Sequence, residues 1–186
     1  MKSVCVALIF ATSSLFAQTP AKSTTLVAPN KIVNSVVDTA PGKVLVIELT
    51  IPAPLPDVWK AFTTSDGLMT WLTPSATVDL RPGGDWICHF PGGSTGGGTI
   101  VSFIPQQQLV ISALAPDKFP NVRAHRTNAK FTFKANGNST LVRLTQTGWQ
   151  EGDEWNRAYE YLAAGNAQLL AMLHHRFVSG PVDWTK

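Results

Sequence analysis

The chain has 186 residues, which is enough for one domain with a substantial hydrophobic core and short for two domains. Its 15 Lys and Arg stand against 12 Asp and Glu, and the net charge is +3 with neutral His. The cations are scattered and do not alternate with aromatic residues, so the composition excludes an extended nucleic-acid-binding surface.

The first 17 residues have the pattern of a secretory signal peptide. A charged start at Lys2 precedes an apolar run from Val4 to Phe16, and Ala17 supplies a small residue at the boundary. We predict cleavage after Ala17 and a periplasmic or secreted mature protein, with an uncleaved anchor as the alternative. The apolar run is short for a bilayer, and no later stretch reaches about 18 apolar residues, so we expect a chain that is not membrane-embedded.

Cleavage at this point would leave a single thiol in the mature chain. The sequence has two cysteines, and Cys5 lies within the predicted signal, so that only Cys88 remains. An internal disulfide is then excluded, and Cys88 is expected to be a small buried hydrophobic residue rather than a nucleophile.

Residues 18–43 are predicted to be a flexible leader with a possible short strand at 32–37, because Ser, Thr, Ala and Pro dominate it. A better strand follows at 44–51. Pro56 then suits the first turn of a helix, and a second short helix is predicted through Leu68 and Leu72.

The middle of the chain alternates short apolar runs with turns rich in Gly, Pro and Asn, which is typical of antiparallel strands. The glycine-rich segment 91–98 is predicted to be a flexible hairpin loop that can cover a cavity, since it lacks the Lys and following helix of a phosphate-binding loop. Strands are predicted at 77–80, 85–90, 99–104, 109–114, 125–134 and 140–149.

Alternation along these strands assigns their faces. Trp86 and Cys88 share one face of their strand. In the last strand, the charge of Arg143 marks the solvent side, which places Gln146 inward. The inward residues of the preceding strand are predicted to be His125, Thr127, Ala129, Phe131 and Phe133.

A single long helix is predicted from Asp153 to about Ser179. Asp153 can cap its first turn, and the negative charge of Glu154 is favourable at the positive end of the helix dipole. Gly180 ends the helix. At about 1.5 Å per residue it would be about 39 Å long, so it must lie across a sheet. One face of the helix carries Trp155, Tyr159, Leu162, Asn166, Leu169, Leu173 and Phe177.

Four segments in this order resemble one family. They are PLPDVWKAF at 54–62, SDGLMTWL at 65–72, LRPGG at 80–84 and LTQTGW at 144–149. They are similar to the AHSA1-like family, which is related to activators of Hsp90 ATPase and belongs to the SRPBCC, START-like or Bet v 1-like superfamily.

The resemblance implies an α+β helix-grip fold over residues 44–180. Such a fold has a curved antiparallel sheet of about seven strands wrapped on a long C-terminal helix, two short helices after the first strand, and an apolar cavity between sheet and helix. The superfamily includes lipid and hormone carriers, polyketide cyclases and co-chaperones, so the resemblance does not select a function.

Metal and hydrolase sites are not expected from the residue pattern, and no cofactor is implied. His174 and His175 are adjacent on the helix and diverge by about 100°, so they cannot chelate one ion as an i, i+4 pair does. Gly92-Gly93-Ser94-Thr95-Gly96 has the spacing Gly-x-Ser-x-Gly, but no helix is predicted after it, so it lacks the strand-to-helix turn of a hydrolase elbow.

The candidate ligand-binding residues are inward polar groups and aromatic or apolar wall residues. The polar groups can equally be satisfied core residues, since buried polar side chains usually find internal hydrogen bonds. Trp86 and Trp155 are expected near an entrance. The full set is Trp86, His125, Phe131, Gln146, Trp155, Tyr159, Leu162 and Asn166.

Three functions remain open from the sequence. The first is an exported binding protein that holds a small hydrophobic or amphipathic molecule between sheet and helix. The second is a cyclase- or dehydratase-like enzyme that uses the same cavity, with His125 as acid or base. The third is a protein-interaction or co-chaperone-like module that uses the outer face of the sheet.

Overall fold

The computed structural model describes residues 33–36 and 42–185. The predicted signal peptide and most of the predicted leader lie outside the described residues. In chain order the elements are β1 (Val33–Val36), β2 (Leu45–Ile51), α1 (Leu55–Thr63), α2 (Ser65–Met69), β3 (Ser75–Val78), β4 (Asp85–His89), β5 (Thr95–Ile104), β6 (Gln108–Leu114), α3 (Pro120–His125), β7 (Thr127–Asn136), β8 (Ser139–Thr147) and α4 (Asp153–Ser179).

The strands form one antiparallel sheet in the order β1-β2-β8-β7-β6-β5-β4-β3. Seven of them, β2 to β8, make the curved sheet of the predicted helix-grip fold, and β1 pairs with β2 as an additional edge strand. Alternation in β7 buries Thr127, Ala129, Phe131 and Phe133, which confirms their predicted inward face.

The two short helices predicted after the first strand are present and close one end of the sheet. Pro56 lies in the first turn of α1, where a missing N–H costs nothing, and Val58 and Phe62 point inward and are fully buried. The Phe62 ring lies 5.2 Å from the Trp71 ring and 5.0 Å from the Phe131 ring, so this end of the core is filled with aromatic side chains.

The long helix α4 has 27 residues and the predicted bounds. Its first turn differs from the prediction. Gly152 occupies the cap position with φ +121, and Asp153 makes no capping hydrogen bond. Glu154 instead accepts hydrogen bonds from the backbone N–H groups of Asn121 and Val122, at 2.8 and 3.2 Å, and so ties the start of α3 to the start of α4.

The glycine-rich segment is half strand rather than wholly a flexible loop, which corrects the prediction. β5 begins at Thr95, and Gly96 and Gly97 pair with Cys88 and Ile87 of β4. A Cβ at Gly97 would lie 2.0 Å from the carbonyl oxygen of Trp86, and its φ is +108, so only glycine permits this close approach.

Candidate ligand-binding cavity

A cavity of about 260 Å³ lies between the inner face of the sheet and the middle of α4. Most of its wall is apolar or aromatic, and the polar groups that reach it are few, which is the usual lining of a small-molecule site. The wall includes Trp86, Ile111, Phe131, Leu162 and Leu169.

A chain of hydrogen-bonded side chains crosses the cavity wall. Gln146 is only 2% exposed, and its Nε2 donates to Oγ1 of Thr127 at 2.7 Å. Nδ2 of Asn166 donates to Oε1 of Gln146 at 2.8 Å, which links α4 to β8. Both amides are therefore fixed in orientation by protein partners, and the inward position predicted for Gln146 is confirmed.

Asn166 keeps hydrogen-bonding capacity after this bond. An amide side chain has two donors and a carbonyl acceptor, so Oδ1 and one N–H of Asn166 remain. In the part of the chain that the structure describes, the one buried side-chain polar atom without a partner is Nε of Arg176. Asn166 lines the cavity, so these remaining groups are available to a ligand bound there.

Two other residues of β4 shape the wall without offering a reactive group. Trp86 is 4% exposed, and its Nε1 donates to the carbonyl oxygen of Phe62 at 2.7 Å, so its N–H is already used. Cys88 also lines the cavity, and burial raises the pKa of its thiol to about 12. The thiol is therefore neutral at physiological pH and is a poor nucleophile.

We call the lining residues Phe90, Thr95, Pro116 and Tyr161 the mouth of the cavity; Phe90 and Thr95 are exposed, and Pro116 and Tyr161 are partly buried. The Phe90 side chain is 36% exposed there. The ammonium Nζ of Lys118 lies 3.4 Å from the centroid of the Tyr161 ring. The mouth is thus aromatic, with a cation beside it.

The family model described as Activator of Hsp90 ATPase homolog 1-like protein matches residues 52–177, which is more than half of the chain. The chain belongs to this family. The matched range contains all of the cavity lining, from Leu72 to Leu169.

Solved structures with the same fold are similar to this family member at low sequence identity. Protein MLL2253 from Mesorhizobium loti is 19% identical with a TM-score of 0.63, and the match covers 75% of this chain and 99% of that one. The Aha1 dimer from Colwellia psychrerythraea is 22% identical with a TM-score of 0.61, covering 74% and 97%. CalU16 from Micromonospora echinospora is 19% identical with a TM-score of 0.56, covering 84% and 86%. No curated protein matches the chain.

Five of the eight predicted binding residues line the cavity of this Hsp90-activator-like domain. They come from β4, β7, β8 and α4, which are brought together because the sheet curves around the helix. The five are Trp86, Phe131, Gln146, Leu162 and Asn166.

His125 does not face the cavity, so the prediction of its inward face is wrong. It ends α3 and is exposed, and its Nδ1 lies 2.9 Å from the carbonyl oxygen of Asn121. Arg126 follows with φ +62 and turns the chain, so the alternation of β7 begins only at Thr127. The prediction continued the alternation of β7 back across this turn, and so it assigned His125 to the wrong face.

Trp155 and Tyr159 also lie away from the cavity. Trp155 is 6% exposed and its ring lies 6.1 Å from that of His125, so it packs under α3 rather than at an entrance. Tyr159 donates to the carbonyl oxygen of Val44 at 3.3 Å and its ring lies 4.9 Å from that of Trp149. Both residues fix the first turns of α4 on the sheet.

Tyr161 is one of the lining residues that were not predicted as binding residues from the sequence. It is next to Leu162 and five positions before Asn166, so it does not fit the 3- and 4-residue spacing of the predicted helical face. Its ring packs 5.6 Å from the ring of Phe119, in the segment that leads into α3. The mouth depends on this contact between elements far apart in the chain.

A second, open groove of about 490 Å³ lies between α1, α2 and the end of α4. Its charged lining residues are mixed in sign: Asp57, Lys60, Asp66 and Arg176. Among the described residues, no group of three or more His, Cys, Asp or Glu is arranged to hold a metal ion. The described helices include none that is both long and apolar enough to cross a membrane.

Proposed function

We propose that the protein binds a small, mostly apolar molecule with a hydroxyl group in the cavity between its sheet and α4. The observation that carries this proposal is an apolar cavity of about 260 Å³ lined by Asn166, whose amide keeps a donor and an acceptor after its bond to Gln146. A hydroxyl group can donate and accept at the same time, so it matches both free atoms of the amide.

The volume limits the size of the ligand. An apolar protein cavity of about 150 Å³ is known to hold benzene, so about 260 Å³ suits a molecule of one or two rings. A phospholipid with two acyl chains is too large for this space. The apolar part of the ligand would contribute by leaving water, at about 25 cal/mol per Å² of buried surface.

The fixed amides favour selective binding. Gln146 is held between Thr127 and Asn166, so the side chain of Asn166 is oriented before any ligand arrives. A group that is already ordered loses less conformational entropy on binding. The hydroxyl would therefore decide orientation, and the apolar wall would supply most of the affinity.

Acid–base catalysis has less support than binding. The described lining contains no carboxylate and no imidazole, and Cys88 keeps its proton because burial raises its pKa to about 12. The imidazole proposed as acid or base, His125, lies outside the cavity. A cyclase or dehydratase of the usual acid–base kind would lack its titrating group.

Titration of the ¹⁵N-labelled protein with 2-naphthol and with naphthalene tests the proposal by NMR. We expect both to shift signals of residues that line the cavity, and 2-naphthol to bind more tightly. Leu162→Trp should abolish binding by filling the space, whereas Ala164→Trp, on an exposed part of α4, should leave it unchanged. Absence of cavity shifts with either compound would refute the proposal, and a protein partner captured by the empty domain would then favour an interaction module.

We also propose that the protein works outside the cytoplasm. The support is the charged start, apolar run and small residue of positions 1–17. Fractionation of the native host followed by N-terminal sequencing should find a form that begins near Gln18 in the periplasm or the medium. Recovery of only the full-length chain from the cytosol would overturn this part.

A further inference from the structure

The geometry of the mouth points to a second requirement on the ligand: we infer that it carries a carboxylate, which Lys118 holds beside Tyr161. This inference rests on the proposed function, because it concerns the same cavity. Together the two groups define an amphipathic hydroxy acid with one or two rings.

Among the residues that the structure describes, Lys118 has no carboxylate partner. The ion pairs of the described residues join Arg81 to Asp79, Arg123 to Asp117 and Arg143 to Glu48, and none includes Lys118. Its ammonium instead lies over the Tyr161 ring, 3.4 Å from the centroid, and 5.3 Å from the centroid of the Phe119 ring. The aromatic faces hold the charge in place and leave its N–H groups free to donate.

The neighbouring acid is engaged elsewhere. The carboxylate of Asp117 lies 3.0 Å from Nε of Arg123, and the same guanidinium donates through Nη1 to the carbonyl oxygen of Ala115. Asp117 is thus held toward α3 rather than toward the ammonium of Lys118. Asp117 therefore does not neutralise Lys118, and the ammonium remains available to the carboxylate of a ligand.

Tyr161 connects the cation to the cavity. Lys118 itself is not part of the wall, but the Tyr161 ring on which it rests is, and so is Pro116, two residues earlier. The Tyr161 hydroxyl makes no hydrogen bond within the described part of the chain. It can therefore donate to the same carboxylate that Lys118 attracts.

The segment around Lys118 has a net positive charge, which suits an anionic ligand. Residues 115–126 carry three cations, Lys118, Arg123 and Arg126, against the single acid Asp117. The acid that faces this segment from α4, Glu154, accepts three hydrogen bonds from Asn121 and Val122. A surplus of positive charge at the entrance raises the local concentration of anionic ligands.

The rise along α4 between Asn166 and Tyr161 gives the approximate scale of the ligand. Asn166 and Tyr161 are five residues apart, which corresponds to about 7.5 Å along the helix axis. Two fused aromatic rings with one substituent at each end have a length of this order. A hydroxyl group at Asn166 and a carboxylate at Tyr161 would then belong to the same two-ring molecule.

The test compares 6-hydroxy-2-naphthoate with its methyl ester at pH 7, by isothermal titration of the full-length protein. We expect the acid to bind about 10-fold more tightly than the ester, since a charge-assisted hydrogen bond is lost on esterification. Lys118→Met should bring the two affinities together, and added salt should have the same effect. Tyr161→Phe, which keeps the ring under the ammonium, should remove part of the preference.

The matched control is Lys130→Met, the same change at an exposed, outward position of β7. It should leave the preference for the acid unchanged. Equal binding of acid and ester by the unaltered protein, or an unchanged preference in Lys118→Met, would overturn the carboxylate inference while the proposed function stands. Failure of both compounds to bind would overturn the carboxylate inference, and it would overturn the proposed function as well only if 2-naphthol also failed to bind.

Discussion

The interior of this domain has a filled end and a hollow end, although the same sheet covers both. Under α1 and α2, Phe62 is fully buried among aromatic rings 5.0 to 5.2 Å away, and Leu68 is fully buried beside it. Under the middle of α4, Leu162 and Asn166 are only partly buried and border the cavity. Phe131 belongs to both regions.

The difference shows how the fold separates stability from binding. Each large side chain at the close-packed aromatic end contributes strongly to the free energy of folding, because it is removed from water and touches many others. The hollow end forgoes that contribution and gains a preformed space. Changes at the two ends should therefore have unlike consequences, and this can be measured.

The largest effect is expected from truncating the same residue type at both ends. Leu68→Ala should lower the free energy of unfolding by about 2 to 5 kcal/mol, because it leaves a new cavity in a filled region. Leu162→Ala should cost only about 1 kcal/mol, since that side chain is half-buried and already borders empty space. Urea denaturation of both variants gives the values, and equal losses would contradict the division into two ends.

The next effect concerns the amide chain at the border of the hollow end. Gln146→Leu removes the group that Thr127 and Asn166 share and leaves the Thr127 hydroxyl buried without a partner. We expect a loss of about 1 to 3 kcal/mol in unfolding free energy. Gln150→Leu, an exposed position just after the same strand, should change stability by less than about 0.5 kcal/mol.

The third effect is a loss of stability at alkaline pH, which we attribute to the buried thiol of Cys88. Burial raises the pKa of this thiol from 9.0 to about 12 in the folded protein, so the unfolded chain releases the proton first. Stability should fall as pH rises above about 9, by up to about 1.4 kcal/mol per pH unit. Denaturation at pH 8 and pH 10.5 under reducing conditions should show a smaller decline for Cys88→Ala; parallel declines would refute this assignment.

The smallest effect is on affinity rather than stability. Asn166→Leu removes the free donor and acceptor at the cavity, so binding of 2-naphthol should weaken by about 0.5 to 1.5 kcal/mol. Naphthalene serves as the control ligand, since it has no hydroxyl and should bind the variant as well as the unaltered protein. An unchanged affinity for 2-naphthol would remove Asn166 from the site.

The sequence predicted the elements that repeat a simple pattern. α4 and β7 follow periods of 3.6 and 2 over long runs, so α4 has the predicted bounds and β7 has the predicted faces from Thr127 onward, although β7 begins and ends two residues later than predicted. α3 was missed because it has six residues between prolines and a turn, and its first N–H groups depend on Glu154, more than thirty positions away. Local patterns cannot report such a partner.

The candidate site was predicted in part for the same reason. Gln146 and Asn166 interrupt apolar stripes, which marks them in the sequence, and both border the cavity. No sequence pattern indicates Tyr161 or Lys118, because they meet only through a contact between α4 and the segment before α3. The empty volume itself depends on how all of the side chains pack together, and no single motif encodes it.

The bond between Glu154 and α3 has a consequence for how the chain is made. During synthesis the sheet is complete by about residue 147, but the carboxylate that anchors α3 and the helix that closes the cavity both come afterward. The cavity can therefore form only after α4 has left the ribosome. Until then α4 does not cover the inner face around Phe131. A nascent or shortened chain therefore exposes an aggregation-prone apolar surface at the position of the cavity.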